Sequence, residues 1–360
     1  MTTTRVRAVR KIISERDLTH ALITDPIDVE YISGFRSSNS ALLVTPARLE
    51  LFTDFRYMEA AREFCAAKGG RCKFTLIEES NFKFLNGKVP GGSAVGIQSG
   101  FVTMDQYRCL KKELPGVRLV QLSNEITNTS IRKFDSEIRS MKAAAAAGDR
   151  AFKKLLPLIR KSMTELELAR MLENICAGLG SEKPAFDTIV LFGERSALPH
   201  GRPGKRKLRK GDFILIDFGC TVNGFRSDMT RTVVFGKASE EQRTVYDIVL
   251  RAQRRACKAA RAGMLCRELD DAARSVISEN GYGKYFGHGT GHGVGLRIHE
   301  KPRVGKTSDA TLLENSVVTI EPGIYIPDVG GVRIEDMVVL KKNGAAALTH
   351  STRKLTELPL

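Results

Sequence analysis

Three of the chain's six histidines fall within twelve positions, in FGHGTGHGVGLRIHE (residues 286–300). Imidazole binds metals and moves protons near neutral pH. Glycine occupies five alternate positions, 287 to 295, in the same stretch. Lacking a Cβ, glycines let a backbone approach a ligand closely. The segment reads as the wall of a site. Two carboxylate pairs supply what faces it. In DFILIDFGCTVNGFRSDMTRTVV, Asp217 and Asp228 lie in strand-like runs, where a buried carboxylate is costly unless paired or metal-bound. Their midpoint falls within one residue of the Asn223-Gly224 turn signal, so a hairpin there places them almost opposite each other, with a bulge absorbing the offset. In TIEPGIYIPDVGGVRIED, Glu321 and Glu335 are equidistant from Asp328, at the centre of a turn-rich stretch, and become cross-strand neighbours.

Four carboxylates in one pocket repel by several kcal/mol at low effective dielectric unless cations balance them. Two divalent ions supply that balance. Carboxylate oxygens with one imidazole suit Mn²⁺, with Co²⁺ or Zn²⁺ as alternatives. Ions bridged in this way sit about 3.5–4 Å apart and ionise water near neutral pH. One histidine is then a ligand, and the others serve the substrate.

The elements that must position these groups divide the chain near residue 130. Before it, helical and strand patterns alternate: a helix over 5–16, a strand at HALIT, two strands around the turn in ALLVTPARLELFTD, a helix in FRYMEAAREFCAAKG, then strands at FTLIE and SAVGIQS. That order predicts a small α/β domain with a mixed sheet over 1–130. Beyond it, DSEIRSMKAAAAAGDRAFKKLLPLI is helical, and Thr164 with Glu167 forms a capping box for a second helix. Strand runs follow, interrupted by a helix opening at the Ser239–Gln242 capping box and another over 266–280. Residues 131–360 therefore predict an α+β catalytic domain of helices on a mostly antiparallel sheet.

Composition bounds the setting. The net charge is +16, with basic clusters at Arg202–Lys210 and Arg251–Arg261. No zinc-finger, RRM or KH signature accompanies them, and the second cluster has the spacing of a solvated helix face, so nucleic acid is not an expected partner. Seven cysteines, at 65, 72, 109, 176, 220, 257 and 266, are odd in number and form no CxxC pair, which suits reduced thiols. No apolar run is long enough to cross a membrane. The N-terminus lacks the apolar core of a secretory signal and reads as an amphipathic helix with Val6, Val9, Ile12 and Ile13 on one face. The expected location is cytoplasmic.

FDTIVLFGERSALPHGRP, LIDFGCTVNGFRSDMTRTV, FGHGTGHGVGLRIHEKP and VVTIEPGIYIPDVGGVRIED resemble, in order and spacing, the pita-bread metallopeptidases of the Xaa-Pro aminopeptidase and prolidase group. YISGFRSSNSALLVTPARLELFTDFRYMEAA resembles the creatinase-like N-terminal domain of the same group. The resemblance implies metal ligands Asp217, Asp228, His292, Glu321 and Glu335. Asp228 and Glu335 would bridge both ions, Asp217 would chelate one, and His292 with Glu321 would bind the other. It further implies that His288 and His299 flank the scissile carbonyl and stabilise its oxyanion, with His200 approaching from the opposite wall. Glu321 would shuttle a proton to the departing nitrogen, and Arg333 would hold the ligand carboxylates in place. The implied substrate is a proline-containing peptide. GFRSSNSALLVT followed by TDFRY looks more like the aminopeptidase branch, with Xaa-Pro dipeptidase as the alternative and a non-catalytic or nucleic-acid-binding relative as a distant one. A homodimer in which the N-terminal domain contributes to the rim of the active site is the expected assembly.

Overall fold

The computed structural model describes residues 2–79 and 81–360. Two compact units divide between Ser130 and Ile131.

The N-terminal unit is built on strands β1 (His20–Ile23), β2 (Ser40–Val44), β3 (Leu49–Thr53), β4 (Lys73–Leu76), β5 (Ala94–Gln98) and β6 (Arg118–Leu122). They form one sheet in the order β4-β3-β2-β1-β5-β6. It is mixed: β1 pairs antiparallel with β2 and parallel with β5. Its helices are α1 (Thr2–Glu15), α2 (Pro26–Ser33), α3 (Met58–Ala66), α4 (Met104–Glu113) and α5 (Glu125–Asn128). α1 buries Val6, Val9, Ile12 and Ile13, the stripe its sequence presents. Four elements go beyond the sequence reading: α2, α4, α5 and β6. α2 is short and mixed in hydrophobicity; Asp25 caps it by accepting from the Ile27 N–H, Pro26 opens it, and Gly34 closes it at φ 84°. α4 starts at a Thr103–Gln106 capping box.

The C-terminal unit carries helices α6 (Asp135–Leu155), α7 (Glu165–Gly178), α8 (Glu240–Ala259) and α9 (Cys266–Glu279). Its strands are β7 (Ile189–Phe192), β8 (Phe213–Phe218), β9 (Thr221–Val222), β10 (Phe225–Arg226), β11 (Met229–Phe235), β12 (Gly291–Gly293), β13 (Glu300–Val304), β14 (Val317–Ile320), β15 (Gly323–Ile326), β16 (Gly330–Arg333), β17 (Asp336–Lys341), β18 (Gly344–Ala347) and β19 (Glu357–Leu358). One sheet has the order β19-β11-β8-β7 and another β13-β12-β14-β17-β18, while β9-β10 and β15-β16 are two-stranded ribbons. Pairing is antiparallel except between β11 and β19.

Two apolar layers support this frame. α6 and α7 bury Ala144, Ala147, Ala151, Phe152, Leu168 and Leu172 against Val190, Ile214, Ile216, Phe218 and Val233. The alanine run lets α6 approach closely; a Cβ at Gly148 would already lie 3.6 Å from the Phe218 ring. α8 and α9 cover β14, β16 and β17 through Val249, Ala252, Ala256, Leu269 and Ala273. The basic residues Arg251, Arg254, Arg255 and Lys258 occupy the exposed face of α8, opposite this buried stripe. Among the described residues no helix is long and apolar enough to cross a membrane.

Candidate active site

Two hairpins and one glycine-rich strand converge on the candidate ligands. The first hairpin turns at Asn223-Gly224, whose φ values of 51° and 77° are those of a type I′ turn. Its register is continuous from Val222↔Phe225 through Phe218↔Met229 to Phe213↔Val234. The residue opposite Asp217 is therefore Thr230. Asp228, two positions before Thr230, shares that face as a diagonal neighbour. The bulge expected between the aspartates is absent from this register, because the turn itself supplies the offset.

The second hairpin pairs Ile320↔Asp336 on one side of the glutamates and Gly323↔Arg333 on the other. The same register puts Glu321 opposite Glu335. The ladder opens there, as the strands pass from one sheet into the other ribbon, and the Glu335 N–H donates instead to the Thr230 carbonyl at 3.1 Å. The two hairpins are thus joined at their acids. Buried Arg231 secures the join, donating to the carbonyls of Thr230 and Glu335 and, at 2.7 Å, to Asp336 Oδ1.

His292 stands in the middle of β12. The alternate glycines beside it serve neighbouring strands rather than a ligand: a Cβ at Gly291 would collide with the Thr319 carbonyl, and one at Gly293 with the Lys301 carbonyl. The segment still lines the site through His292, but these glycines make room for strands rather than for a ligand. The glycines let β12 sink between β13 and β14 while His292 keeps its side chain on the site. The His292 N–H donates to Thr319 Oγ1 at 3.0 Å, and that hydroxyl donates to Glu321 Oε1 at 3.1 Å.

One oxygen or nitrogen from each of Asp228, His292 and Glu335 lies within 4.8 Å of the others. His292 Nδ1 is 3.0 Å from the Gly293 carbonyl, which fixes the proton there and leaves the Nε2 lone pair facing the acids. Nε2 is 3.4 Å from Glu321 Oε1 and 3.6 Å from Asp228 Oδ2. Asp217 takes a hydrogen bond from Arg333 Nη2 at 2.6 Å on Oδ2, while its buried Oδ1 has no protein partner.

Electrostatics tests whether this set fits cations. Burial, then the charges of Glu335 and Asp217, push the Asp228 carboxyl well above its ordinary range. Glu335 is raised by burial and by Glu321 and Asp217. Burial raises Glu321 to about 7 against the pull of Arg333. The same burial lowers His292, keeping its imidazole neutral. Crowded carboxylates, a lone pair aimed among them and a partnerless buried oxygen are the donor set of hard or borderline divalent ions.

A pH experiment follows from these shifts. In metal-stripped protein, raised carboxyls bind protons more tightly folded than unfolded, so stability rises as pH falls through their folded values. His288 and His292 are lowered from 6.5, chiefly by burial, and withdraw stability below that pH. The stripped chain is expected to melt at higher temperature at about pH 6.5 than at about pH 8, a gain that metal loading removes. Calorimetry showing no such gain would contradict the crowding.

The remaining candidates occupy three environments. Arg333 is buried and forks between Asp217, the Thr230 hydroxyl at 2.9 Å and the Tyr325 hydroxyl at 2.8 Å. Thr230 in turn donates to Glu335 Oε2 at 2.6 Å. His299 is exposed, its ring edge-on to His292 at 4.5 Å. His200 is exposed in the loop after β7 and acts electrostatically on His288, His299 and Glu321. His288 differs from the expectation of an oxyanion donor. Its Nδ1 lies 2.8 Å from the Gly289 carbonyl and its Nε2 2.8 Å from the Tyr325 hydroxyl. Burial lowers its pKa to about 4. It is a neutral ring with both nitrogens engaged, the end of a chain running from Asp217 through Arg333 and Tyr325.

The sequence reading omits Tyr325, Thr230 and Thr319. A signal existed for each. Thr230 is the partner of Asp217 when positions are counted from the Asn-Gly turn. Thr319 and Tyr325 share the alternation of Glu321. Gly323 and Gly331 clear space for the Tyr325 ring, since a Cβ at either would lie 2.5 and 2.8 Å from its atoms.

The donor set suits a divalent-metal centre, and the family match makes it a metallopeptidase. Residues 139–342 match the metallopeptidase family M24, and residues 5–129 match the creatinase/prolidase N-terminal domain. The chain belongs to this M24 family of pita-bread metallopeptidases and combines both of its domains. It is 36% identical to the Xaa-Pro dipeptidase of Pyrococcus furiosus over 98% of this chain and 99% of that protein. The solved structure of Xaa-Pro dipeptidase from Bacillus anthracis superposes with a TM-score of 0.94 at 34% identity, covering 99% and 100% of the two chains. That of X-Pro aminopeptidase from Thermotoga maritima gives 0.89 at 35%, covering 98% and 99%.

Proposed function

We propose that this chain is a metal-dependent Xaa-Pro dipeptidase, hydrolysing the bond before proline. The observation that carries this is full-length similarity to proteins named Xaa-Pro dipeptidase, supported by Asp228, His292 and Glu335 lying within 4.8 Å of one another, Glu321 beside His292, and Asp217 acting electrostatically on the same acids. Asp217, Asp228, His292, Glu321 and Glu335 would hold two divalent ions, Mn²⁺ in the first instance. When bound, such ions polarise the carbonyl and make water a nucleophile near neutral pH.

The chain's own residues do the rest. Glu321 has the most accessible of the partnered carboxylates, its side chain 17% exposed against 12% for Asp217 and 6% for Asp228. It is the group placed to carry a proton to the leaving nitrogen. His299 and His200 are exposed imidazoles beside the cluster and serve the scissile carbonyl. Arg333 holds Asp217 and, through Thr230, Glu335. Proline's nitrogen carries no hydrogen, so a site that demands no donor there accepts this bond, and a pocket shaped for the ring would select it. A homodimer in a reducing cytoplasm completes the proposal; the odd, scattered cysteines suit unpaired thiols.

Xaa-Pro aminopeptidase is the second reading, favoured by the GFRSSNSALLVT and TDFRY segments and by the Thermotoga maritima structure. The deciding experiment compares Gly-Pro with a Xaa-Pro-Xaa tripeptide after Mn²⁺ loading. Cleavage confined to the dipeptide is expected. Comparable or faster release of the first residue from the tripeptide would transfer the protein to the aminopeptidase reading.

A further inference from the structure

The segment Phe286–Thr290 that carries His288 has no regular secondary structure of its own, yet its backbone is held at three alternate residues by one helix. Asp270 and Arg274 are four residues apart on α9, so they share a face. Their side chains are 1% and 12% exposed. Arg274 Nε donates to Asp270 Oδ2 at 2.7 Å, and Nη2 donates to Oδ1 at 2.9 Å. The fork then continues outward. Nη1 donates to the Phe286 carbonyl at 2.9 Å, and Nη2 to the His288 carbonyl at 2.6 Å. The guanidinium lies 4.0 Å from the centre of the Phe286 ring, which meets the His288 ring edge-on at 5.0 Å. Asp270 Oδ1 accepts both the N–H and the hydroxyl of Thr290 at 2.9 Å.

We propose that Arg274, locked by Asp270, is a positioning residue for the reaction: it fixes the backbone and ring of His288, and through His288 the Tyr325–Arg333–Asp217 chain. The inference rests on the proposed peptidase activity and on His288 acting in it. The guanidinium makes four directed hydrogen bonds, two to Asp270 and two to carbonyls, more than the three donors of an ammonium can supply. An ammonium at this position keeps the charge and loses the fork. Asp270 is less diagnostic, because it also fixes Thr290, whose carbonyl accepts the Glu321 N–H. Arg274 reaches only the Phe286–His288 side.

The test is a double-mutant cycle on the Mn²⁺-loaded full-length protein, with metal content measured for each variant. Arg274→Lys is expected to lower kcat about 10- to 100-fold, the cost of slight misplacement of a catalytic constellation, with KM within about twofold and metal content unchanged. In a His288→Ala background the same substitution is expected to change kcat by less than about twofold, because the two act as one unit. Arg274→Gln gives the same readout if the lysine variant does not fold. A further full loss of rate in the His288→Ala background, or unchanged kcat in the single variant, would overturn the inference while leaving the peptidase reading intact. Full activity of His288→Ala alone would overturn the role of His288 and this inference with it. Failure of the unsubstituted protein to cleave any Xaa-Pro peptide would instead sink the peptidase reading on which both rest.

Discussion

Asp228→Asn is expected to abolish turnover while making the metal-stripped chain harder to melt. Asp228 is buried between β10 and β11 in the returning arm of the first hairpin, with its N–H donated to Met337 Sδ at 3.0 Å and its carboxylate facing His292. Burial and three neighbouring carboxylates all disfavour its charge. Asparagine keeps the shape, removes one negative charge from the most crowded position, and replaces an acceptor with an N–H₂ group that repels a cation. The rate should fall by about 10³-fold or more, on the scale of losing a principal electrostatic element of an active site. Without metal, relief of repulsion should raise Tm by about 2–4 °C, the shift that about 1 kcal/mol produces in a domain of this size. Activity and stability move in opposite directions because the site is assembled against its own electrostatics. A fully metallated Asp228→Asn protein working near the unsubstituted rate would remove Asp228 from the ligand set.

The acids were readable because hairpin geometry is local. Glu321 and Glu335 face each other through a turn centred on Asp328, and the distance to that turn can be counted along the chain. Asp217 and Asp228 needed one further step. Counting from their own midpoint calls for a bulge, whereas counting from Asn223-Gly224, where both residues adopt positive φ, gives one constant register with Thr230 opposite Asp217. The resemblance names the ligands and Arg333 as the group holding them, but not Tyr325 or Thr230, which hold Arg333 in turn. Tyr325 bonds Arg333 eight positions away, and Arg333 bonds Asp217 more than a hundred positions away. The first pair are diagonal neighbours within the second hairpin, but Arg333 meets Asp217 only because one hairpin folds onto another, and that leaves no mark on spacing. The glycines show the converse difficulty. Alternate glycine is conspicuous in sequence, but two causes, a nearby ligand or a nearby strand, leave the same pattern. Only the positions of the Thr319 and Lys301 carbonyls distinguish them. In the N-terminal unit, α2 and α4 depend on caps at Asp25 and Thr103 more than on a strong apolar stripe, and β6 is a partly exposed edge strand whose outward residues blur its alternation.

His292 and His288, four residues apart in one glycine-rich stretch, should separate cleanly into a residue that holds metal and one that does not. His292→Ala removes the lone pair that faces Asp228 and Glu321 and should cost metal affinity and activity together. Excess Mn²⁺ should restore part of the rate, since four carboxylates remain. His288 offers no free nitrogen: one lies against the Gly289 carbonyl and the other against Tyr325. His288→Ala should therefore keep the metal content of the unsubstituted protein and lose about 10- to 100-fold in kcat, as Tyr325 and then Arg333 relax. Added Mn²⁺ should not rescue it. The pH profile offers a further distinction. Burial holds the His288 pKa near 4, so the ring is neutral throughout the working range and its removal should leave the acidic limb of the kcat profile in place. Metal analysis and a pH–rate series on the two variants decide the matter. Metal lost from His288→Ala, or retained at full affinity by His292→Ala, would exchange their roles and require Nε2 of His288 to leave Tyr325 for the carboxylate cluster.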